Sequence, residues 1–497
     1  MKWAQFLHIY QPAEQQKDVL EAVIAESYRP LFTHFRENKK VRLTLNINGA
    51  LLELFDANGH QDLIDMLREA GNEGRIEFTG SAKYHAFLPL LDTEEIERQI
   101  RLNNETNSFF LGTAYNPKGF FPPEMGYKPE LAKIVEAAGF EWIILDEIAA
   151  YGGKKEIDYT KLYKIKDTNL NAFFRERRTS NLIMSAVVRS VDSLKESMRQ
   201  DMETKRYLVT AMDGETFGHH RPGLEELLFE ILRSSDFDLA TISELRQFYS
   251  ETIEVSPISS TWASSREDID KGIQFLSWDD PENEIHTLQH QLLTLALGEV
   301  GNIQKDQAVY SDVRKKMDKA EASDHFWWAS AKPWWSLEMI EEGAYLLLDT
   351  LLSIPQLSEE KTSQALQLYQ KIVSTGFSWQ RTGKVREMMH RQKHITRISF
   401  KDRTLGKGGS EEGVYYAFVD MMKKQETAAV EKKEYEKAIL WRDAMYKLEN
   451  KFDIYDSISA IDLVRNEISN EEVEKTIEQY KDRYRDLKGG QPEQRGN

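Results

Sequence analysis

The chain has 497 residues, no cysteine and a formal charge of −17 at pH 7. The length calls for two or three domains, and the missing thiols exclude a disulfide framework, a thiolate nucleophile and a thiolate metal site. The acidic balance opposes a nucleic-acid partner, which normally meets a basic face, and suits a neutral substrate better.

Apolar residues at 40% suffice for burial, so global disorder is excluded. No window is long and apolar enough for a membrane span, and the N-terminal MKWAQFLHIYQP has no apolar signal core. A cytoplasmic location is expected.

Up to about Asp280, short β-like runs alternate with amphipathic helical stretches such as Gln61–Ala70 and Lys128–Ala138. The expected strands are Trp3–Ile9, Val41–Ile47, Arg75–Phe78, Gly119–Phe121, Trp142–Leu145, Ala172–Phe174 and Tyr207–Ala211. Such alternation predicts an α/β fold with parallel strands, in a barrel or a doubly wound sheet. After Pro281 helical periodicity prevails, broken at Pro333, Pro355 and Pro492. The expected organisation is a catalytic barrel over 1–255, a linker or groove loop over 256–285, a helical domain over 286–488 and a flexible tail over 489–497. The Gly406–Ser410 stretch reads as a surface turn.

Chemistry gathers where strands end, the rim at which parallel α/β folds bind ligands. The first strand ends in His8-Ile-Tyr10-Gln11-Pro12, with His8 and Tyr10 on one face. The third carries Glu77 in an apolar run, then Gly80 and a loop reaching Tyr84-His85. A buried carboxylate there needs a partner. The fourth runs into Phe121-Pro122-Pro123-Glu124, where two prolines stop the strand and stiffen the turn under one acid. The seventh delivers Asp213-Gly-Glu215, then Gly218 and His219-His220. An Asp-Gly turn explains part of this, but not the crowded acid and histidines.

Glu124 and Asp213 thus come from opposite strands to one mouth, as glycoside cleavage requires: one carboxylate attacks the sugar carbon and the other protonates the leaving oxygen. Neighbouring carboxylates also push their pKa values apart, giving one ionised and one protonated group near neutral pH. His8, Tyr10, Gln11, His85, Glu215 and His219 are the candidates to bind sugar hydroxyls. Trp262 and Trp278 lie in loop-like surroundings and are candidates to stack on sugar rings. The cluster Phe326-Trp327-Trp328 with Trp334-Trp335 reads either as helical core or as groove. His286-x₃-His290 has helical metal-ligand spacing but lacks the glutamate of the zinc-protease motif, and reads as a helix-face pair.

In order and context, the His8…Gln11-Pro12 turn, Glu77 with Gly80 and His85, the Pro123-Glu124 turn and Asp213-x-Glu215-x-x-Gly218-His219 resemble the signature regions of glycoside hydrolase family 57. Phe174-Arg-Glu-Arg177 with Ser180-Asn181, and Ser323-Asp-His-Phe-Trp-Trp-Ala329, are similar to further segments of that family. The resemblance spans roughly residues 1–345.

It implies an incomplete seven-stranded (β/α) TIM-like barrel with a helical bundle, and a retaining α-glucan hydrolase of α-amylase type that takes α-glucans or maltooligosaccharides. The same scaffold would also serve a 4-α-glucanotransferase, a branching enzyme or a catalytically weak glucan-binding homologue. Carried over, Glu124 is the nucleophile and Asp213 the general acid/base, while His8, Glu77 and Glu215 hold the sugar. No metal and no cofactor are implied. The sequence departs from the pattern at Tyr10, where a second histidine is common, at Phe121-Pro122, where Trp-Leu is common, and at His220, where an aromatic is usual. Zinc-dependent mannosidases and deacetylases also use seven-stranded barrels, but such mannosidases carry an Asp where Tyr10 stands.

Overall fold

The computed structural model describes all residues except 187, 306–308, 333, 392–400, 402–412, 451–453 and 490–497. The Gly406–Ser410 turn, Pro333, Pro492 and residues 490–497 of the expected tail lie outside the described residues, while Gly489 closes the helix Asn470–Gly489. The chain divides into two compact units. One holds Met1–Met184, Met198–Thr216 and Ile231–Met388, the other Ser185–Ser197, Phe217–Glu230 and Met389–Asn497.

The first unit is built on a parallel-dominated sheet. Its strands are β1 (Lys2–Ile9), β2 (Leu43–Ile47), β3 (Ile76–Gly80), β4 (Gly119–Phe120), β5 (Trp142–Asp146), β6 (Leu162–Ile165), β7 (Asn171–Arg175), β8 (Tyr207–Asp213), β9 (Asp238–Ala240) and β10 (Thr252–Val255). The order is β10-β6-β7-β5-β4-β3-β2-β1-β8, with β9 on β1. Strands β1, β2, β3, β4, β5, β7 and β8 are the seven expected from sequence. They pair parallel with one another and curl into a barrel whose ladder is open between β7 and β8, while β6 joins β7 antiparallel. Across that opening the Glu176 N–H donates to the Val209 carbonyl at 2.8 Å and the Arg175 Nε to the Ala211 carbonyl at 2.8 Å.

Burial explains the strand sequences. Every residue of β2 and β5 is buried, as in a sheet covered on both faces; β5 is apolar up to its terminal Asp146, while β2 alternates and its buried Thr44 and Asn46 are hydrogen-bonded. The covering helices show the complementary stripe. Gln61–Asn72 buries Leu63, Ile64, Met66, Leu67 and Ala70 at helical spacing, and Thr93–Leu111 begins where the Asp92 side chain accepts the Glu95 N–H. Helices Glu284–Gly301, Tyr310–Ala320, Leu337–Leu352 and Glu359–Thr382 belong to this unit too.

The second unit contains the helices Val414–Glu431, Tyr435–Asn450, Ile454–Glu467 and Asn470–Gly489. They close on Phe418, Met422, Trp441, Leu448, Val464 and Val473. In the same unit the buried Arg189 pairs with Asp462 at 3.0 Å.

Candidate active site

Register puts the site together. His8 on β1 pairs with Asn46 on β2 and with Asp213, the last residue of β8, so these three side chains share one level at the strand ends. The Asn46 amide donates to Thr79 Oγ1 at 3.2 Å, which turns its oxygen toward His8 Nδ1, 2.7 Å away. His8 therefore carries its proton on Nδ1, and its Nε2 accepts from His85 Nε2 at 3.1 Å. His85 Nδ1 in turn accepts from the Ser323 hydroxyl at 3.0 Å. Burial lowers the His8 pKa to about 4 and takes His85 well below the usual histidine range, so both rings are neutral near pH 7.

Glu124 sits in the turn after β4. Pro122 and Pro123 hold the approach, the Met125 N–H donates to the Pro122 carbonyl at 2.8 Å and the Gly126 N–H to Pro123 at 2.9 Å. Glu124 and Met125 take φ of 61° and 49°, and His85 facing them takes 56°. A non-glycine residue in this region costs about 1–3 kcal/mol, and such residues gather where a side chain must be aimed. Glu124 keeps 19% of its side-chain surface open. Trp262 Nε1 donates to its Oε2 at 2.7 Å, and the Trp262 N–H to its carbonyl at 3.3 Å. His85 Nε2 lies 3.9 Å from its Oε1.

The loop bearing Trp262 is itself clamped. Arg177 Nη2 donates to the carbonyls of Trp262 and Ser264 at 3.1 and 2.9 Å, and its Nε to Asp146 at 2.6 Å. Asp146 ends β5 and is also held by Arg175 at 3.1 Å.

Four carboxyls crowd this rim. Burial first, then Asp213, pushes the Glu124 pKa up to about 8, against the Trp262 hydrogen bond that lowers it. Burial raises Asp213 to about 6, opposed by Arg175. Glu215 rises to about 8 through burial and Asp213; it accepts from the Tyr28 hydroxyl and, at 3.2 Å, from the Tyr10 N–H. Asp324 rises to about 6 through burial, and the Tyr10 hydroxyl donates to it at 2.9 Å. Tyr10 stacks on His85 with centroids 4.3 Å apart, so the tyrosine that replaces a histidine carries its hydroxyl to the helical segment. Gln11 acts one step back, donating to Tyr28 Oη at 3.3 Å.

The structure thus brings together His8, Tyr10, His85, Glu124, Asp213, Glu215 and Trp262, with Gln11 behind them. Two expected residues lie elsewhere. Glu77 pairs with Thr44, two residues along the strands before the level of Asn46 and Thr79. Its carboxylate accepts from Thr44 Oγ1 and from the Ser243 N–H, both at 3.1 Å, at the start of the helix Ile242–Phe248. The partner a buried acid needs is therefore a helix N-terminus, not a sugar. Trp278 is 1% exposed and lies flat on Phe87 at 4.6 Å, so it is core rather than groove. His219 belongs to the second unit, its ring 5.3 Å from that of His220.

The candidate metal pair is also bonded into the fold. His286 accepts the Asp280 N–H at Nδ1 and donates from Nε2 to the Phe326 carbonyl, while His290 donates to the Trp278 carbonyl. The one carboxylate trio close enough to share an ion among the described residues, Glu95, Asp318 and Glu321, is bridged by Arg314.

Asn46, Asp146, Arg175, Arg177, Ser323 and Asp324 were not among the expected site residues. Asn46 gave the same signal as Glu77, a polar residue inside an apolar strand. Arg175, Arg177 and Asp324 lay within motifs already singled out, yet nothing local tied them to Glu124.

The glycosyl hydrolase family 57 model matches residues 3–257. An α-amylase of Pyrococcus horikoshii is 25% identical over 227 residues, 45% of this chain and 35% of that protein. A 4-α-glucanotransferase of Thermococcus litoralis is 25% identical over 272 residues, 52% of this chain and 40% of that one. The chain therefore spans less than half the length of these curated relatives. A GH57-type branching enzyme of Pyrococcus horikoshii superposes with a TM-score of 0.57 at 17% identity, over 75% of this chain and 94% of that structure, a likeness of fold. The family match runs from the first barrel strand through β10 and takes in Glu124, Asp213 and the histidine chain between them: the chain belongs to glycosyl hydrolase family 57.

Proposed function

We propose that this rim is the catalytic centre of a retaining enzyme acting on α-glucans or maltooligosaccharides, with Glu124 as nucleophile and Asp213 as general acid and base. The carrying observation is the pair itself. Glu124 and Asp213 are desolvated on one rim and coupled, so that together they hold one proton between about pH 6 and about 8. A double displacement needs a one-proton pair.

In the first step an oxygen of Glu124 bonds to the anomeric carbon as the bond to the leaving glucan oxygen breaks, and Asp213 gives that oxygen its proton. In the second, Asp213 takes a proton from the incoming hydroxyl, which attacks the anomeric carbon and releases Glu124. Water as the incoming group gives hydrolysis; a glucan hydroxyl gives transfer. Trp262 occupies Oε2 of Glu124 and leaves Oε1 to attack. Neutral His8 and His85 bring no cation to the rim, which suits an uncharged sugar. The activities of the relatives, α-amylase and 4-α-glucanotransferase, agree with this substrate class.

The test is Glu124→Gln and Asp213→Asn, assayed on maltooligosaccharides for new reducing ends and for transfer products. Each variant is expected to lose at least about 10³-fold in kcat. A wild type inert on every α-glucan would contradict the reading.

A further inference from the structure

Away from the rim, the first unit carries a cleft of about 520 Å³ whose lining includes Trp335, Glu338, Gln380, Val385 and Arg386. Trp335 is half-buried and stacks on the buried Trp379, with centroids 6.0 Å apart and planes at 20°. Its Nε1 donates to the Gln380 amide oxygen at 3.3 Å, which fixes the ring. Beside the indole stand a carboxylate, a guanidinium and an amide on exposed side chains, Glu338, Arg386 and Gln380. A fixed aromatic face flanked by such donors and acceptors suits a neutral pyranose: its CH face packs on the ring and its hydroxyls pair with the polar groups.

Two links tie this cleft to the catalytic rim. The loop after β1 touches both, since Tyr10 donates to Asp324 at 2.9 Å and Gln16 donates to Glu338 at 3.1 Å. The segment after Asp324 is a run of half-buried indoles: Trp327 stacks on Trp334 at 4.5 Å, and the Trp328 carbonyl accepts the Ser336 N–H at 3.2 Å, beside Trp335.

We propose that the Trp335 cleft is a distal glucan subsite, which binds a part of a long α-glucan chain whose other part lies at Glu124 and Asp213. This rests on the proposed function for the choice of ligand. The cleft then makes the enzyme read chain length, preferring long glucans to short maltooligosaccharides.

The experiment compares the full chain with its Trp335→Ala variant, and separately with Arg386→Ala, which changes an exposed side chain and spares the packing. KM is measured for amylose and for maltotetraose. The amylose KM is expected to rise about tenfold for Trp335→Ala, a loss of about 1.4 kcal/mol of binding, and to rise in the same direction for Arg386→Ala. The maltotetraose KM is expected to change less than twofold. Equal shifts on both substrates, or none on either, would overturn the subsite. Should the wild type be inert on every α-glucan, the functional reading fails, and retardation in a native gel containing amylose still decides the cleft. Retardation lost in Trp335→Ala upholds it; unchanged retardation, or none in the wild type, overturns it.

Discussion

The indole N–H of Trp262 donates to Oε2 of Glu124 at 2.7 Å, and the backbone of the same tryptophan donates to the Glu124 carbonyl. A donor aimed at a carboxylate favours its ionised form, and hydrogen bonds to charged groups contribute about 1.5–3 kcal/mol. Trp262→Phe removes that donor and keeps the ring. The Glu124 pKa then climbs above about 8, the alkaline limb of kcat/KM moves to higher pH, and the plateau below it falls about 10- to 100-fold. Above the new limb the variant and the wild type converge. A uniform loss at every pH would show that Trp262 only fills space.

On the proposed mechanism the same two acids set the shape of the wild-type profile. With Asp213 at about 6 and Glu124 at about 8, kcat/KM is bell-shaped between those values. Attack by Glu124 needs the proton on Asp213, whereas the electrostatics of the rim favour it on Glu124 by about a hundredfold. The productive form is then about one hundredth of the singly protonated enzyme, and a substrate that buries Asp213 further raises that share. Titration of the wild type against Asp213→Asn by carboxyl infrared bands checks the order: the group near 6 is expected to vanish in the variant and the groups near 8 to move down, because the Asp213 charge helps to hold them up.

Arg177, on the proposed mechanism, acts through Trp262 rather than on the sugar. Its guanidinium spans Asp146 and the carbonyls of Trp262 and Ser264, so Arg177→Lys keeps the charge and loses the fork. We expect kcat to fall about 10²-fold with a smaller change in KM, since a misplacement of about 1 Å has that cost. Arg177→Ala should regain part of its rate in guanidinium at concentrations far below denaturation. Loss of KM alone would point to a direct sugar contact instead.

Much of this site was legible in the sequence because rim chemistry follows strand ends. All seven barrel strands announced themselves as short β-like runs, and Pro122-Pro123 and Asp213-Gly214 marked where two of them stop. Strands β6, β9 and β10 escaped notice; they are only three or four residues long, and β10 rests on a partner far away in sequence. Glu77 was misread because an acid in an apolar strand gives one signal at every level of a barrel. Two residues of register, about 6.6 Å, separate the rim from the helix N-terminus that Glu77 meets. Trp278 looked loop-like because its packing partner Phe87 comes from the loop after β3. Asp324 lies 314 residues from the Tyr10 hydroxyl that donates to it, a distance no local pattern spans.

Crowded acids also imprint the stability of the protein. The folded state holds the protons of Glu124 and Glu215 up to about pH 8, whereas the unfolded chain releases them near its ordinary carboxylate pKa of about 4.3. The folded state therefore binds more protons over this range, and stability falls as pH rises toward 8. Glu124→Gln removes one such group. Its Tm is expected to exceed that of the wild type by about 2 °C at pH 8, with the difference vanishing near pH 4. An offset independent of pH would contradict this.

The central claim is that Glu124 bonds to the sugar. A 5-fluoro-α-glucosyl fluoride slows release of a glycosyl-enzyme, and peptic digestion with mass spectrometry then locates the adduct. The label is predicted on the peptide bearing Glu124, within Phe120-Phe121-Pro122-Pro123-Glu124-Met125. A label on Asp213 would reverse the two roles, and turnover to an inverted product without any adduct would contradict the retaining mechanism altogether.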